Sequence, residues 1–331
     1  MAELPPLDPF PAGSYSLYRL SPLHFSDATN PFLEAGLRYH AHRLGNGLKG
    51  DFIHGEVELS KAGPYKSCKW TPLTSTKSPP EPEGQEATLE NGTTNQLAGI
   101  RIDIEFEKAT FSAFLLNTKG SFYIRKDGET YLPILAVSMP ATLRPILTGY
   151  LAKAFDTNIE SLRLSNWFIN AALEDLLQSL CCGNEAAAAH TQTNLRLTIG
   201  FLKPTAPSLK KMDITIRSED IFGFLNYGRK AWNDETPFKH PLFRTALRAY
   251  LETKIGLKLN LSVVSIEKFD CAGFRVIEDG KVTIPALPDG IDSAEEEGEA
   301  QARIQQARAK LVERLIDVAT IKSDPPKGNG P

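Results

Sequence analysis

The sequence predicts an α+β fold built from antiparallel sheets with packed helices. GIRIDIEFE (99–107) alternates apolar and charged residues, as a strand with one buried face does. Asp-Gly pairs at 127–128 and 279–280 lie between apolar runs, where this dipeptide favours tight hairpin turns. Groups of strands separated by helical blocks favour antiparallel meanders over a parallel α/β sheet.

Composition and charge indicate a globular chain with a nearly balanced surface. The 331 residues are 41% hydrophobic and 23% charged, with a formal net charge of −3. Any nucleic-acid surface must be a local patch of cations, because the whole chain is not basic. The start shows no signal-peptide pattern, and no apolar run is long enough to span a membrane. The four cysteines lack C-x-x-C spacing, so we expect reduced thiols inside a cell.

Changes in composition predict the domain organisation. Residues 1–13 are rich in proline, and 73–98 are rich in proline, glutamate, threonine and glycine, so both are expected to be disordered. The segment 183–190 is expected to be a linker. Residues 286–331 are expected to form an acidic linker, an extra C-terminal helix and a tail. The predicted folded parts are an N-terminal α+β domain over 14–182 and a C-terminal α+β region over 191–285.

Periodicity places the elements of the N-terminal part. Apolar residues recur at spacings of three and four from Leu33 to Leu48 and predict a helix with one apolar stripe. Pro145 fits the first turn of a second helix, and Ser165 or Asn166 can cap a third that runs to about residue 181. The strand candidates here are 15–20, 51–60, 99–107, 109–117 and 120–137.

The C-terminal part also mixes strands and helices. Ser218 begins a short helix expected to stop near Gly228, and a helix after Pro241 is expected to end at Gly256. A small segment, Cys271-Ala272-Gly273, is expected to kink the chain as a bulge does. Whether the helical residues 291–320 cover the sheet or bind a partner is left open. The strand candidates are 193–201, 208–217 and 261–285.

Two histidines in LRYHAHRLGNGLKGD (37–51) raise the question of a metal or acid–base site. On a helix, His40 and His42 point about 200° apart, so they cannot share one metal ion. The sequence contains no glycine-rich phosphate loop, no H-E-x-x-H and no G-x-S-x-G. We therefore expect no enzyme, no cofactor and no metal. The alternative is a soluble enzyme with a His-centred site around His24, His40 and His54.

Cations recur at helical spacing on two of the predicted helices. Arg38, Arg43 and Lys49 lie on or near the exposed side of the first, and Arg244 and Arg248 are one turn apart on a later one. Such positions can contact DNA phosphates, although the spacing alone favours a solvated helix face. A glutamate four residues beyond Arg248 is expected to form an ion pair within that helix.

The last strands can form an edge that accepts another chain. Apolar residues alternate on both sides of the Asp279-Gly280 turn, and an edge strand can pair with a partner's strand. The alternative is an edge covered by the chain's own C-terminal helix. The positions expected to support partner pairing are Val264, Ile266, Cys271, Gly273, Phe274, Val276, Val282 and Ile284.

Three segments of the sequence match the motifs of one known family. AKAFDTNIESLRL (152–164) matches at Phe155, Asp156 and Thr157. VSIEKFDCAGFRVIEDGKVTI (264–284) matches a terminal hairpin of that family, with Ala272 in place of its first glycine. SYSLYRLSPLHF (14–25) and LRYHAHRLGNGLKGDFIHGEVEL (37–59) match at Tyr15, Leu17, Arg19, Ser21, Pro22, Leu23, Arg43, Leu44, Gly50, Asp51 and Gly55. Together these segments resemble the fungal branch of the centromere protein L (CENP-L) family, and the resemblance runs from about 14 to 285.

This resemblance implies a non-enzymatic scaffold of the inner kinetochore, within the constitutive centromere-associated network of the nucleus. Members of the family pair with centromere protein N and help to hold the kinetochore on CENP-A nucleosomes during chromosome segregation. The implied fold has curved antiparallel sheets that carry helices, and the implied partner joins through strands near the C-terminus. The resemblance favours residues 191–285 as a heterodimerisation region and the basic helices as DNA-facing. A homo-oligomeric scaffold stays an alternative.

Overall fold

The computed structural model describes residues 11–26, 29–51, 61–73, 98–117, 129–181, 194–201, 210–232, 241–258, 264–286 and 294–320. The strands are β1 (Gly13–Leu20), β2 (Leu23–His24), β3 (Tyr65–Leu73), β4 (Ala98–Phe106), β5 (Thr110–Asn117), β6 (Glu129–Thr130), β7 (Ile134–Ser138), β8 (Ile159–Ser161), β9 (Leu195–Phe201), β10 (Lys211–Ile216), β11 (Val264–Cys271), β12 (Phe274–Ile277) and β13 (Lys281–Ile284). The helices are α1 (Glu34–Asp51), α2 (Leu143–Phe155), α3 (Asn166–Leu180), α4 (Ser218–Trp232), α5 (Leu242–Ile255) and α6 (Ala294–Thr320). The predicted α+β class is confirmed.

The described chain forms two compact units. The first is built mainly from Leu17–Glu160, and the second from Pro11–Ser16 and Ser161–Val318. The division falls before α3, whereas the predicted linker at 183–190 lies outside the described residues, as does nearly all of the 73–98 insertion. Helix α3 belongs to the second unit because its buried face packs against β11 there.

The first unit is an antiparallel sheet with two helices. Its strand order is β1-β7-β5-β4-β3, and β3, β4 and β5 follow one another as the predicted meander. The apolar side chains of β4, Ile100, Ile102, Ile104 and Phe106, are buried, which confirms the alternation. Most of strand candidate 51–60 and the Asp127-Gly128 turn lie outside the described residues.

Helices α1 and α2 bury one stripe each in the core of the first unit. On α1 the stripe begins at Leu37, whereas Leu33 precedes the helix and is 53% exposed. Helix α2 buries residues at the expected spacing from Leu143 to Phe155 and ends at Asp156, whose φ of 45° lies in the left-handed region. Pro145 is the third residue of this helix, within its first turn as predicted.

The second unit has a sheet with the order β10-β9-β11-β12-β13-β1, and β1 contributes Gly13–Ser16 to it. Helix α3 begins at the predicted cap, since the Ser165 hydroxyl accepts a hydrogen bond from the Phe168 N–H. Helix α5 ends at Gly256 as predicted, and this glycine has a φ of 69°.

Helix α4 continues one turn beyond its predicted end near Gly228. A Cβ atom built on this glycine would lie 2.0 Å from the Leu242 carbonyl oxygen. The glycine therefore permits close packing between α4 and the start of α5, and does not terminate the helix.

The hairpin between β11 and β12 corrects the predicted bulge at Cys271-Ala272-Gly273. Ala272 and Gly273 have φ values of 51° and 78°, and the Cys271–Phe274 pair closes a two-residue turn around them. Positive φ at both central residues is the geometry that matches strand twist in tight hairpins. The bulge lies instead between Ile266 and Lys268, where the register with β9 shifts. The predicted Asp279-Gly280 turn is confirmed, with a φ of 79° at Gly280.

A buried carboxylate from α3 caps α5. The Glu174 oxygens accept hydrogen bonds from the N–H groups of Phe243 at 3.0 Å and Arg244 at 3.3 Å. These N–H groups lie in the first turn of α5, where the helix itself supplies no acceptors. Burial raises the pKa of the Glu174 carboxyl, and its hydrogen bonds oppose that shift.

Candidate partner-pairing sheet and basic helix faces

Seven of the eight residues predicted to support partner pairing lie in the core of the second unit. Gly273 occupies the β11–β12 turn and is exposed. The other seven are 5% exposed or less, and they are Val264, Ile266, Cys271, Phe274, Val276, Val282 and Ile284. Their side chains therefore stabilise the sheet from inside the chain, and their role in partner pairing stays a prediction.

The backbone of these strands is already paired within the chain. Strand β11 lies between β9 and β12, and β13 lies between β12 and β1. Strand β1 pairs with β13 although it lies some 270 residues earlier in the chain, and the Ser14 and Thr283 hydroxyls are 2.9 Å apart across this pair. The sequence did not indicate this pairing. The hairpin at 264–284 is therefore an interior part of this sheet.

Helix α6 packs on α3 and near β11 in the second unit, as the alternative in which the chain's own helix covers the sheet predicts. Arg314 forms an ion pair with Asp175 of α3, and the Lys310 ammonium donates to the Ser179 hydroxyl at 3.1 Å. The helix buries Ala307 and Leu311 near Phe269 of β11, and the space that remains among these elements is about 10 Å³. Such a space holds at most one water molecule.

Strand β10 forms an edge of this sheet, because among the described residues it pairs with β9 alone. The Phe201 N–H donates to the Lys210 carbonyl at 3.0 Å, and this fixes the alternation of the ladder. Because bonded and non-bonded pairs alternate in an antiparallel ladder, the N–H and C=O groups of Lys211, Asp213 and Thr215 point away from β9. These groups can pair with a further strand.

The predicted basic residues of α1 are exposed on its outer side. The Arg43 guanidinium lies 5.7 Å from the centroid of the Tyr39 ring and donates to its hydroxyl at 2.9 Å. The Lys49 ammonium lies 5.8 Å from the centroid of the Tyr65 ring. Arg38 differs from both, since it forms an ion pair with Glu34 one turn earlier.

The predicted basic residues of α5, Arg244 and Arg248, are also exposed. The expected ion pair between Arg248 and Glu252 does not form, and Glu252 pairs instead with Lys258 at 3.7 Å. Among the described residues, Arg248 thus has no carboxylate partner. These two arginines belong to the second unit, whereas Arg38, Arg43 and Lys49 belong to the first.

His40 is a packed core residue. It is 1% exposed, and its ring stacks on Trp70 at a centroid distance of 5.2 Å. Its Nε2 lies 2.8 Å from the Thr29 carbonyl oxygen and must carry the proton, so its Nδ1 accepts from the Tyr150 hydroxyl at 2.8 Å. Desolvation lowers the pKa of His40. Both ring nitrogens are occupied, which leaves none for a metal or a substrate.

The described residues offer little for a catalytic centre. They contain no group of three or more His, Cys, Asp or Glu side chains that could hold a metal ion. His24 is exposed, and His54 lies outside the described residues. Burial raises the pKa of the Cys68 and Cys271 thiols to about 12 each, so neither is a ready nucleophile. None of the described helices is long and apolar enough to cross a membrane.

Comparison with known proteins identifies the family. No curated protein matches the sequence. The family model described as Centromere protein L matches residues 9–320, nearly the whole chain. The match includes α6, which extends the resemblance noted from the sequence beyond residue 285. It names no branch, so the fungal assignment stays a prediction. The chain belongs to the centromere protein L family, whose members are structural components of the kinetochore at the centromere.

Proposed function

We propose that this protein is a non-enzymatic scaffold of the inner kinetochore that forms a heterodimer with a centromere protein N homologue. In that complex it helps to anchor the kinetochore to CENP-A chromatin in the nucleus. The observation that carries the proposal is the family match over residues 9–320. The packing of the candidate catalytic histidine, His40, is consistent with a structural role.

The proposed partner joins the C-terminal sheet through β10. The interior position of residues 264–284 supports this choice, because β11, β12 and β13 already have neighbours on both sides. Strand β10 has outward backbone groups at Lys211, Asp213 and Thr215, and strand addition uses such groups. In this proposal the buried residues of β11 to β13 stabilise the sheet to which β10 belongs.

Thr215→Pro is expected to weaken the heterodimer at least about tenfold while the chain stays folded. Proline removes an N–H group that points away from β9, and it leaves the bonds of the β9–β10 ladder intact. Affinity can be measured by titration calorimetry with the purified centromere protein N homologue, with thermal unfolding recorded in parallel.

The matched control is Ile214→Pro, one residue earlier on the same strand. The Ile214 N–H points toward β9, so this variant is expected to lower the free energy of unfolding by about 1–3 kcal/mol. Full partner affinity in folded Thr215→Pro would show that the partner does not pair with β10.

DNA contact is proposed for the exposed cations of α1 and α5. Arg43, Lys49, Arg244 and Arg248 have no ion pair with a carboxylate among the described residues. DNA affinity shared with partner subunits does not require a basic chain, and each phosphate neutralised contributes about 0.9 to the salt slope. Arg38, the fifth predicted cation, is compensated by Glu34.

Reversing charge on α1 is expected to weaken binding to a fluorescein-labelled DNA duplex. Arg43→Glu and Lys49→Glu should each reduce the slope of log affinity against log salt by about 0.9. Fluorescence anisotropy over a salt series measures both affinity and slope. Lys153→Glu, an exposed charge reversal on α2, is the control and should change neither strongly. Unchanged slopes in the α1 variants would remove this helix from the DNA surface.

A further inference from the structure

The exposed side of α1 forms a continuous polar face. We call the residues Tyr39, His42, Arg43, Asn46 and Lys49 the outer face of α1. All five are exposed, and at 3.6 residues per turn they lie within about 120° of one another around the helix axis. None of them is acidic. Arg43 and Lys49 are separated by about 9 Å of helix rise, a length over which duplex DNA carries several phosphates.

Side chains of this face hold one another in place. The Tyr39 ring supports the Arg43 guanidinium, and the Tyr65 ring of β3 lies beneath the Lys49 ammonium. The Asn46 amide lies 3.3 Å from the His42 ring. Binding to a phosphate therefore costs less side-chain entropy here than at fully mobile lysines and arginines.

Arg38 lies one turn before His42, next to the outer face of α1, but its charge is compensated. Its guanidinium pairs with the Glu34 carboxylate, and the two side chains are 76% and 78% exposed. An exposed pair of this kind contributes little to folding stability. The Glu34 carboxylate nevertheless places a negative charge beside the face, and it competes with a phosphate for the Arg38 guanidinium.

We propose that Glu34 limits the DNA affinity of the outer face of α1 by holding Arg38 in an intrahelical ion pair. This inference rests on the proposed DNA role of α1 and adds a regulatory residue to it. Neutralising Glu34 frees Arg38 for a third phosphate contact on the same helix. DNA is favoured over an acidic peptide because the cations of this face are spread over about 9 Å of helix among polar side chains, an arrangement that suits contacts to successive phosphates of a duplex.

The test is Glu34→Gln in the full chain, with a fluorescein-labelled DNA duplex as the probe. The variant is expected to bind about two- to fivefold more tightly, the range of one exposed ion pair. Its salt slope should steepen by about 0.9, the value for one added phosphate. Adding Arg38→Gln to the same chain should return affinity and slope to those of the unmodified protein.

Glu219→Gln is the matched control. Glu219 also lies in the first turn of a helix, α4, and its carboxylate pairs with an exposed arginine, Arg217, at 3.3 Å. The inference requires that Glu34→Gln increases affinity more than Glu219→Gln, because both change the net charge equally. Equal increases in the two variants would overturn it, since they would reflect net charge alone.

The remaining outcomes separate this inference from the proposed function. If Arg43→Glu and Lys49→Glu weaken DNA binding but Glu34→Gln leaves it unchanged, Glu34 does not limit the face and the DNA role of α1 stands. If none of the three variants alters DNA binding, α1 does not contact DNA. The proposed DNA role of α1 and the proposed role of Glu34 are then both wrong. Far-ultraviolet circular dichroism confirms that each variant keeps its helices.

Discussion

Phe274→Asp is expected to unfold the second unit. Phe274 is 0% exposed and begins β12 directly after the tight turn at Ala272 and Gly273. Aspartate would remove the buried ring and place a carboxylate among apolar side chains, with an expected loss of about 4 kcal/mol or more in the free energy of unfolding. Chemical denaturation monitored by circular dichroism measures this loss.

Loss of partner binding in this variant would therefore follow from unfolding and not from a lost contact. Phe274→Leu keeps an apolar side chain, so it should retain both the fold and the partner. Arg275→Asp changes the next residue, which is exposed, and should cost only about 1 kcal/mol, because it replaces the ion pair with Asp270 by two like charges at paired positions. A Phe274→Asp chain with unchanged stability and no partner affinity would place this ring at the partner surface.

Among the three described histidines, His24, His40 and His42, substitution of His40 by alanine is expected to be the most damaging. The change opens a cavity between Trp70 and Phe155, whose rings lie 5.2 Å and 4.6 Å from the imidazole. It also leaves the Thr29 carbonyl and the Tyr150 hydroxyl without this partner. The combined loss should be about 3 kcal/mol or more, as measured by denaturant unfolding.

His42→Ala is the matched control, because this histidine is exposed on the same helix. It should change the free energy of unfolding by no more than about 0.5 kcal/mol. Equal effects of the two variants would contradict the core position of His40. Stoichiometric metal in the purified protein that His40→Ala removes would favour the His-centred alternative instead.

The same packing predicts how stability depends on pH. The pKa of His40 is lowered from 6.5 in the folded chain, so below pH 6.5 the unfolded chain binds a proton that the folded chain excludes. The contribution of neutral His40 to the free energy of unfolding is therefore fully present above pH 6.5. It decreases as the pH falls below 6.5, by at most about 1.4 kcal/mol per pH unit. His40→Phe should lose this component of the pH dependence. An identical pH profile in His40→Phe would contradict it.

Local patterns predicted most elements of the fold. The alternation in β4, the serine cap of α3 and the Gly256 end of α5 each depend on a few neighbouring residues, and all three are confirmed. The sequence does not predict the turn at Ala272, because alanine rarely adopts a positive φ and the small segment Cys271-Ala272-Gly273 is typical of a bulge. Turn geometry here depends on the two flanking strands.

Contacts between distant segments could not be predicted from spacing. Nothing near residues 281–284 indicates that Gly13–Ser16 pairs with them, and this pairing makes the terminal hairpin an interior part of its sheet. The Glu174 cap of α5 spans about 70 residues of sequence and has no motif. The buried position of His40 likewise depends on Trp70 and Tyr150, which come from other elements.

The candidate DNA and partner surfaces were predictable only where they depend on local spacing. The exposed cations of α1 and α5 follow from helical periodicity, and the structure leaves them exposed. The compensation of Arg38 by Glu34 could have been inferred from their spacing of four residues, which is the spacing of intrahelical ion pairs. The open edge at β10 could not have been inferred from spacing, because it depends on which strands occupy the other positions in the sheet.

Molar mass by light scattering, for the chain alone and after co-expression with the centromere protein N homologue of the same organism, tests the proposed function most directly. We expect a stable complex with one copy of each protein, whose mass exceeds the 36.4 kDa of this chain by that of the partner. A mass that does not change when the partner is present, whether of one copy or of two, would contradict the proposed heterodimer.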